Sequence, residues 1–316
     1  MSRLWDMGYR IATPANLNKE IGCPILSCLC ERVGYRARQR TTALLTIGML
    51  DGSNSHRIPL MLKKIILLRE RVEDWTIYPF SVPTIASLPE IAIQSRVVFF
   101  AGENGTGKST LLEAIAAHYG FGPEGGNRNF SSNTTDSNQS IESLTKALRL
   151  SFDKRTGAGF FLRAESFFNT ASQLDQLDGG SGEILSSYGG GSLHSRSHGE
   201  TFFTLLTHKF QHNGFFLLDE PEAALSPQRQ LAFLLLIHDT LRRYKDAQFI
   251  ISTHSPVLLG YPGAQILSFD EGQLHQIDYE ETAPMQIVRR FVNDRSSFLQ
   301  ELFQETPSLF EELDSK

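Results

Sequence analysis

Short apolar runs alternate with amphipathic segments along the chain, which predicts buried strands interleaved with packed helices. Residues 97–101, 214–218 and 247–253 are short and rich in apolar residues, as is typical of a parallel sheet that is covered on both faces. Residues 110–118 carry apolar side chains at positions 111, 112, 115 and 116, which is the spacing of one helical face. This order of strands and helices predicts an α/β fold.

Four further segments extend the pattern toward both ends of the chain. Residues 61–69 have the Ile/Leu enrichment of an opening strand, whereas residues 125–140 and 179–191 are rich in Gly and Ser and are predicted as loops. Residues 283–310 show helical spacing of apolar residues. Packing on the core is the favoured interpretation of this last segment, and binding of a partner is the alternative.

The composition is that of an ordinary globular protein. The 316 residues, of which 41% are apolar and 21% charged, suffice for one large α/β domain or two small ones. Apolar runs fall short of the ~18–20 residues that span a bilayer, and the N-terminus lacks a signal-peptide pattern, so we expect a cytoplasmic location. The net charge of −5 argues weakly against nonspecific nucleic-acid binding.

Residues 1–60 differ from the rest of the chain. They carry a charge of +4 against −9 for the remainder, show no sustained period, and contain all three cysteines, Cys23, Cys28 and Cys30. The cysteine spacing is poor for zinc, because it lacks a C-x2-C pair and a nearby histidine. We predict an atypical N-terminal extension, disordered or not native, over 1–60 and one domain over 61–316. Either Met61 is the natural start or the first 60 residues form an accessory segment, which N-terminal sequencing distinguishes.

A glycine-rich motif separates the strand at 97–101 from the helix at 110–118. It fits the phosphate-loop pattern G-x4-G-K-[ST], in which glycines let backbone N–H groups turn toward phosphate oxygens at a helix N-terminus. Lys108 can reach the β- and γ-phosphates, and the hydroxyl of Ser109 can ligate Mg²⁺. The residues expected to bind ATP are Gly102, Glu103, Asn104, Gly105, Thr106, Gly107, Lys108, Ser109 and Thr110.

Two carboxylates and a histidine follow the downstream strands. Ligands of open parallel sheets lie at the carboxyl ends of the strands, so Asp219 is expected to hold Mg²⁺ beside the phosphate loop. Glu220, one step further out, is placed to polarise an attacking water. His254 comes just after the strand at 247–253 and can bond the γ-phosphate or the water. A structural role is favoured for His118, His208 and His212.

Together these residues resemble the ATP-binding-cassette (ABC) ATPases, particularly the soluble RecF/SMC-like branch and its small predicted AAA/ABC ATPases. Residues 102–109 are similar to the Walker A motif, 215–220 to Walker B with its catalytic glutamate, 222–226 to the D-loop, and His254 to the switch histidine. The resemblance covers about residues 61–275. It implies a P-loop NTPase fold: a mostly parallel sheet flanked by helices, with a small antiparallel or helical lobe.

The resemblance also implies an activity. A member of this superfamily hydrolyses ATP with Mg²⁺, and the matching catalytic positions here are Glu220, His254 and Lys108.

The superfamily signature, usually Leu-Ser-Gly-Gly-Gln, is similar to residues 196–200, Arg-Ser-His-Gly-Glu. Ser197 and Gly199 keep the two positions that face phosphate, and a helical stretch follows at 201–210. The resemblance implies that these two residues contact the γ-phosphate held by a second subunit, which gives a homodimer with two ATP molecules at its interface. Ser197 with Glu200 also fits a capping box, and the two roles are compatible.

The sequence departs from the family pattern in two further places. The Q-loop glutamine is not evident, and the corresponding position holds Glu165, a candidate ligand in the Mg²⁺ sphere. The aromatic residue that would stack on adenine is not assigned, and the candidates ahead of the phosphate loop are Trp75, Tyr78 and Phe80.

Three functions are compatible with these motifs. The favoured one is an ATPase switch or motor subunit that acts with nucleic acid or a protein partner in a DNA-related or defence complex, although the acidic body and the lack of coiled-coil heptads argue against it. The alternative is the nucleotide-binding subunit of a membrane ABC transporter, which would need a separate permease. A nucleotide sensor with negligible turnover is the third, and the intact Asp219, Glu220 and His254 argue against it.

Overall fold

The computed structural model describes residues 60–122, 137–164 and 198–305, and the structural statements below concern these residues. The chain divides into two units, Met1–Arg57 and Ile58–Lys316, and the described residues belong to the second. The elements in chain order are β1 (Leu62–Leu67), α1 (Pro83–Ala86), β2 (Ile91–Ala92), β3 (Val97–Ala101), α2 (Lys108–Tyr119), α3 (Ser137–Ala147), β4 (Leu148–Phe152), β5 (Gly159–Arg163), α4 (His198–Lys209), β6 (Phe215–Asp219), α5 (Pro227–Arg243), β7 (Gln248–Ser252), α6 (Pro256–Leu259), β8 (Gln265–Ser268), β9 (His275–Ile277), α7 (Ala283–Asn293) and α8 (Arg295–Glu305).

A six-stranded sheet carries the candidate site. Its strand order is β5-β6-β7-β3-β8-β9, and all neighbours are parallel except β8 and β9. Every residue of β3, β6 and β7 is buried, as their continuous apolar sequences predicted. The α/β fold with a mostly parallel sheet is therefore confirmed. Because parallel strands end at the same edge, the segments that follow β3, β6 and β7 lie together.

A second, three-stranded sheet has the order β2-β1-β4, and both of its pairings are antiparallel. The buried side chain of Gln248, at the start of β7, ties β1 to the large sheet. Its Oε1 accepts the N–H of Leu62 at 2.7 Å, while its Nε2 donates to the carbonyl of Leu62 at 3.2 Å. A buried amide with both ends bonded is stable in an apolar core, so the two sheets are held in a defined register.

Aromatic rings fill the core beside the large sheet. Phe210 at the end of α4 lies 4.8 Å from Phe216 and 5.0 Å from Phe249, and the last two rings stack at 4.9 Å. Such contacts add to the free energy gained from burial alone. They fix α4 against the central strands.

Two expectations about the segments need correction. Helix α3 begins at Ser137, so the last residues of the loop predicted over 125–140 are helical and precede the turns whose Ile141, Leu144 and Ala147 contact the core. Residues 179–191 lie outside the described residues. Within the described part of the segment 283–310, the predicted helical spacing belongs to two helices, α7 and α8, with a break at Asp294.

The favoured interpretation of this C-terminal segment, core packing, is wrong. No residue of α7 is buried, and its exposed apolar side chains are Ile287, Val288, Phe291 and Val292. Helical spacing identifies an apolar face but not what that face contacts. Among the helices described, none is both long and apolar enough to cross a membrane.

Candidate nucleotide-binding site

The loop between β3 and α2 has the backbone of a phosphate-binding turn. Gly102, Gly105 and Gly107 adopt positive φ angles of 141°, 79° and 98°, which residues with a Cβ rarely adopt. Gly107 is the N-cap of the 12-residue helix α2, and no side chain caps that end. Its first N–H groups and the helix dipole therefore point toward an anion that the loop would enclose.

The amine of Lys108 lies inside this loop. The residue is 3% exposed, and its Nζ donates to the carbonyl of Glu103 at 2.6 Å. Burial lowers the pKa of Lys108, whereas the negative charges of Glu220 and Asp219 and of two further carboxylates raise it. A buried cation surrounded by acids is placed to bind a phosphate group.

Ser109 and Asp219 meet at the edge of the sheet. The Ser109 hydroxyl donates to Asp219 Oδ1 at 3.0 Å, although the two residues are 110 positions apart. Burial raises the pKa of Asp219, and the Ser109 hydrogen bond and the charge of Arg163 lower it. A hydroxyl and a carboxylate side by side are the oxygen ligands that Mg²⁺ prefers.

Arg163 forms ion pairs with both Glu113 and Asp219. Arg163 Nη1 at the end of β5 lies 2.6 Å from Glu113 Oε1 on α2, and its Nε lies 3.9 Å from Asp219 Oδ2. Burial raises the pKa of Glu113 to about 7, against the opposing charge of Arg163. The helix that follows the phosphate loop is thereby linked to two neighbouring strand ends.

Glu220 has a backbone conformation that non-glycine residues seldom adopt. Its φ of 48° and ψ of 52° are left-handed, which costs about 1 kcal/mol for a residue with a Cβ. Its N–H donates to the carbonyl of Ser252 at 3.0 Å, which holds the strained residue beside β7. As a result the Glu220 carboxylate lies 3.5 Å from His254 Nε2.

The His254 imidazole is the remaining polar group in the cluster. Burial lowers the pKa of His254, the charge of Lys108 lowers it further, and Glu220 raises it. Its Nε2 is buried and makes no hydrogen bond within the described part of the chain, since the Glu220 carboxylate lies at the longer distance of 3.5 Å. A neutral imidazole with a buried, unpartnered nitrogen can donate to a phosphate oxygen or to water.

The residues present therefore fit a nucleoside triphosphate and a divalent cation. The positive-φ glycines, the uncapped helix end and the buried Lys108 amine suit phosphate, and the unpartnered His254 Nε2 faces the same region. Ser109 and Asp219 would hold Mg²⁺.

The sequence and fold are similar to known proteins. Residues 192–260 match the model of the family described as "AAA domain, putative AbiEii toxin, Type IV TA system". This match spans 69 of the 316 residues and is a similarity to that family. Among curated proteins, none matches this chain.

Two solved structures are also similar to this chain. The SMC head domain from Thermotoga maritima is 16% identical with a TM-score of 0.37, and the match covers 69% of this chain and 98% of that one. The cbiO1 protein of Clostridium perfringens, part of the ABC transporter complex cbiONQ, is 18% identical with a TM-score of 0.40, and the match covers 68% of this chain and 90% of that one.

The signature-like segment at 196–200 is described only in part. Ser197 and Glu165 lie outside the described residues, as do the three cysteines, so their predicted roles stay predictions. Gly199 lies in the first turn of α4, where a Cβ would come within 3.0 Å of the carbonyl of Ala224 and 2.3 Å of Arg229 Nη1. Arg229 also pairs with Glu200 at 3.3 Å. A glycine at position 199 therefore allows α4 to approach the turn that follows β6.

The three aromatic candidates for stacking on adenine have different environments. Phe80 is 5% exposed and belongs to the core, and Trp75 packs against that core with the guanidinium of Arg69 4.6 Å above its ring. Tyr78 is 48% exposed, and its hydroxyl lies 2.9 Å from Thr110 Oγ1, next to Ser109. It also lines a cavity of about 380 Å³. Tyr78 is the best placed of the three.

Sequence reasoning missed three charged residues near the site, Glu113, Arg163 and Asp270. It placed Glu222 in the D-loop-like segment 222–226 but gave that residue no role of its own. Asp270 follows β8, and its Oδ1 accepts the N–H of Glu103 at 2.9 Å, so it anchors the start of the phosphate loop. Arg163 and Asp270 lie at the carboxyl ends of β5 and β8, and the strand-end rule that selected Asp219 could have selected them too.

Proposed function

We propose that this chain binds ATP with Mg²⁺ and hydrolyses it. The observation that carries the proposal is the contact of Ser109 with Asp219 at 3.0 Å, at the edge of the sheet where the buried Lys108 amine lies. The Glu220–His254 pair follows the neighbouring strand ends of the same edge. Together they provide phosphate donors, oxygen ligands for a cation and a general base in one cluster.

Each residue has a distinct task in this mechanism. The loop N–H groups and Lys108 bind and orient the phosphates, and Mg²⁺ when bound would neutralise phosphate charge. The Glu220 side chain is 42% exposed, so water can reach its carboxylate, which accepts a proton from that water. His254 donates from Nε2 and holds the water or the phosphate in place.

Phosphate release by the purified protein tests the proposal directly. We expect Mg²⁺-dependent turnover that EDTA abolishes, and Glu220→Gln should reduce kcat by about 10²–10⁴-fold while ATP still binds, because the general base is lost and the phosphate contacts are not. Lys108→Ala should instead weaken ATP binding itself. Tight ATP binding by the parent protein without any phosphate release would indicate a nucleotide sensor, and Glu220→Gln turnover at the parent rate would exclude Glu220 as the base.

We further propose that the active form is a homodimer with ATP bound between the subunits. Support comes from Gly199 in the first turn of α4, which keeps the signature-like position beside the turn after β6. In this arrangement Ser197 and Gly199 of one subunit contact the γ-phosphate held by the other, so each phosphate loop is half of an active site.

The process that the cycle serves is proposed to involve nucleic acid or cellular defence, with the protein acting in the cytoplasm. The family description names a toxin–antitoxin system, and a similar solved structure is an SMC head domain. Phosphate release should therefore be measured with and without double-stranded DNA, single-stranded DNA and RNA. Stimulation by one of them supports this role, whereas co-purification with a membrane protein and no stimulation would favour the transporter subunit.

A further inference from the structure

The turn that follows β6 is bonded to the segment that follows β7. Glu222 lies in the 3-10 turn Pro221–Ala224, directly after Glu220. Its Oε1 accepts the backbone N–H of His254 at 2.6 Å, across a separation of 32 residues. Because β6 and β7 are parallel neighbours, one carboxylate can link their outgoing loops.

A second side chain links the same two segments. Gln230 on α5 accepts the Ser255 hydroxyl through Oε1 at 2.6 Å and donates from Nε2 to the carbonyl of Leu225 at 3.1 Å. Ser255 Oγ in turn accepts the N–H groups of Val257 and Leu258, which caps the first turn of α6. The backbone on both sides of the His254 side chain is therefore tied to the turn that carries Glu220.

Glu222 itself is unsuited to act on substrate. Glu222 is half-buried, and this burial raises its pKa while the N–H of His254 lowers it. Its Oε1 accepts a backbone N–H, its Oε2 is buried without a hydrogen-bond partner among the described residues, and Glu220 is the carboxylate beside the imidazole. Removing a carboxylate from water costs free energy, and the hydrogen bond to His254 offsets part of that cost.

We propose that Glu222 is a positioning residue, which holds the backbone of His254 so that the imidazole stays beside the Glu220 carboxylate. This inference rests on the proposed ATPase function. The Glu222 bond fixes the backbone N–H of His254, and the Gln230 bond fixes Ser255, the next residue. The orientation of the His254 imidazole is therefore set by residues that follow β6. Loss of the bond would let the imidazole move by an ångström or more, which costs up to about 10²-fold in rate when a reacting group is misplaced.

A matched pair of variants separates position from charge. Glu222→Asp keeps the negative charge but shortens the side chain by one methylene, so its oxygen no longer reaches His254 N. Glu222→Gln keeps the length and an acceptor oxygen but loses the charge. We expect Glu222→Asp to lower kcat by about 10–100-fold with KM for ATP within about twofold of the parent, and Glu222→Gln to retain kcat within about threefold.

The His254→Ala background tests whether Glu222 acts through His254. In that background Glu222→Asp should change kcat by less than about twofold, because the group that it positions is already gone. An equal loss of kcat in both backgrounds would overturn the proposal. The proposal would also be overturned if Glu222→Asp kept the kcat of the parent and Glu222→Gln lost it.

A readout on the nucleotide-free protein makes the test independent of turnover. In ¹⁵N-histidine-labelled protein the amide proton of His254, assigned by its absence in His254→Ala, should be shifted far downfield by the short bond to a carboxylate. Glu222→Asp should move it upfield. If this shift is present but no phosphate is ever released, the proposed function fails while the bond stands; a shift unchanged by Glu222→Asp would overturn the positioning role.

Discussion

At the scale of single residues, the chemistry of the site follows from atom types that the sequence already displays. Lys108 is a buried cation among acids, and Asp219 presents an oxygen to the hydroxyl of Ser109. What the sequence did not display is the left-handed backbone of Glu220, which depends on its hydrogen bond to the neighbouring strand. Strain of this kind persists only where surrounding structure imposes it.

Tyr78 provides a residue-scale prediction about the base of the nucleotide. We expect Tyr78→Ala to raise the Kd for ATP by about fivefold, because loss of one stacked ring costs about 1 kcal/mol. Tyr78→Phe should keep most of the affinity, since the ring stays. Calorimetry with ATP and with inorganic tripolyphosphate measures this: the affinity for tripolyphosphate should not change, and an equal loss for both ligands would show that Tyr78 does not contact the base.

At the scale of elements, strand order decides which residues meet. β7 lies between β3 and β6, so the phosphate loop and Asp219 approach across the end of an intervening strand. The apolar runs predicted these strands. The rule that ligands bind at the carboxyl ends of parallel strands predicted the edge of the sheet that carries the site. Neither predicts the order of the strands in the sheet. The pair of Glu113 on α2 and Arg163 on β5 could not be predicted for the same reason.

The Glu113–Arg163 pair predicts a pH dependence of stability. The folded state raises the pKa of Glu113 from 4.5 to about 7, so it holds the proton more tightly than the unfolded chain does. Stability from this group is present below the unfolded pKa and is lost as the pH rises toward 7, by about 3 kcal/mol in the free energy of unfolding.

Glu113→Gln removes this titration. The difference in unfolding free energy between parent and variant, from urea denaturation at pH 5, 6, 7 and 8, should therefore shift in favour of the variant between pH 5 and 7 and level off by pH 8. A difference that stays constant over this range would contradict the assignment.

At the scale of the whole molecule, the proposed site is completed by a second chain. The described residues bring together Ser109, Asp219, Glu220 and His254, while Gly199 on α4 packs beside the turn after β6. The exposed apolar face of α7 was expected to pack on the core, and only the structure shows that it does not.

Assembly on ATP is the prediction at this scale. With Mg²⁺ and ATP, Glu220→Gln should shift to a dimer, because the nucleotide that joins the subunits is bound and not consumed. Light scattering coupled to size-exclusion chromatography measures the mass. Lys108→Ala is the control and should stay at the mass of the nucleotide-free protein; a Glu220→Gln sample whose mass is the same with and without ATP would contradict the sandwiched dimer.

The sequence by itself determined the phosphate loop, the strands and the acidic pair, because glycine torsions, apolar runs and carboxylates act through local chemistry and spacing. Only the tertiary structure decided the partners of these groups. The contacts of Asp219 with Ser109, of Glu113 with Arg163 and of Glu222 with His254 join residues that are 32 to 110 positions apart. Such pairs depend on strand order and packing, which no local pattern records.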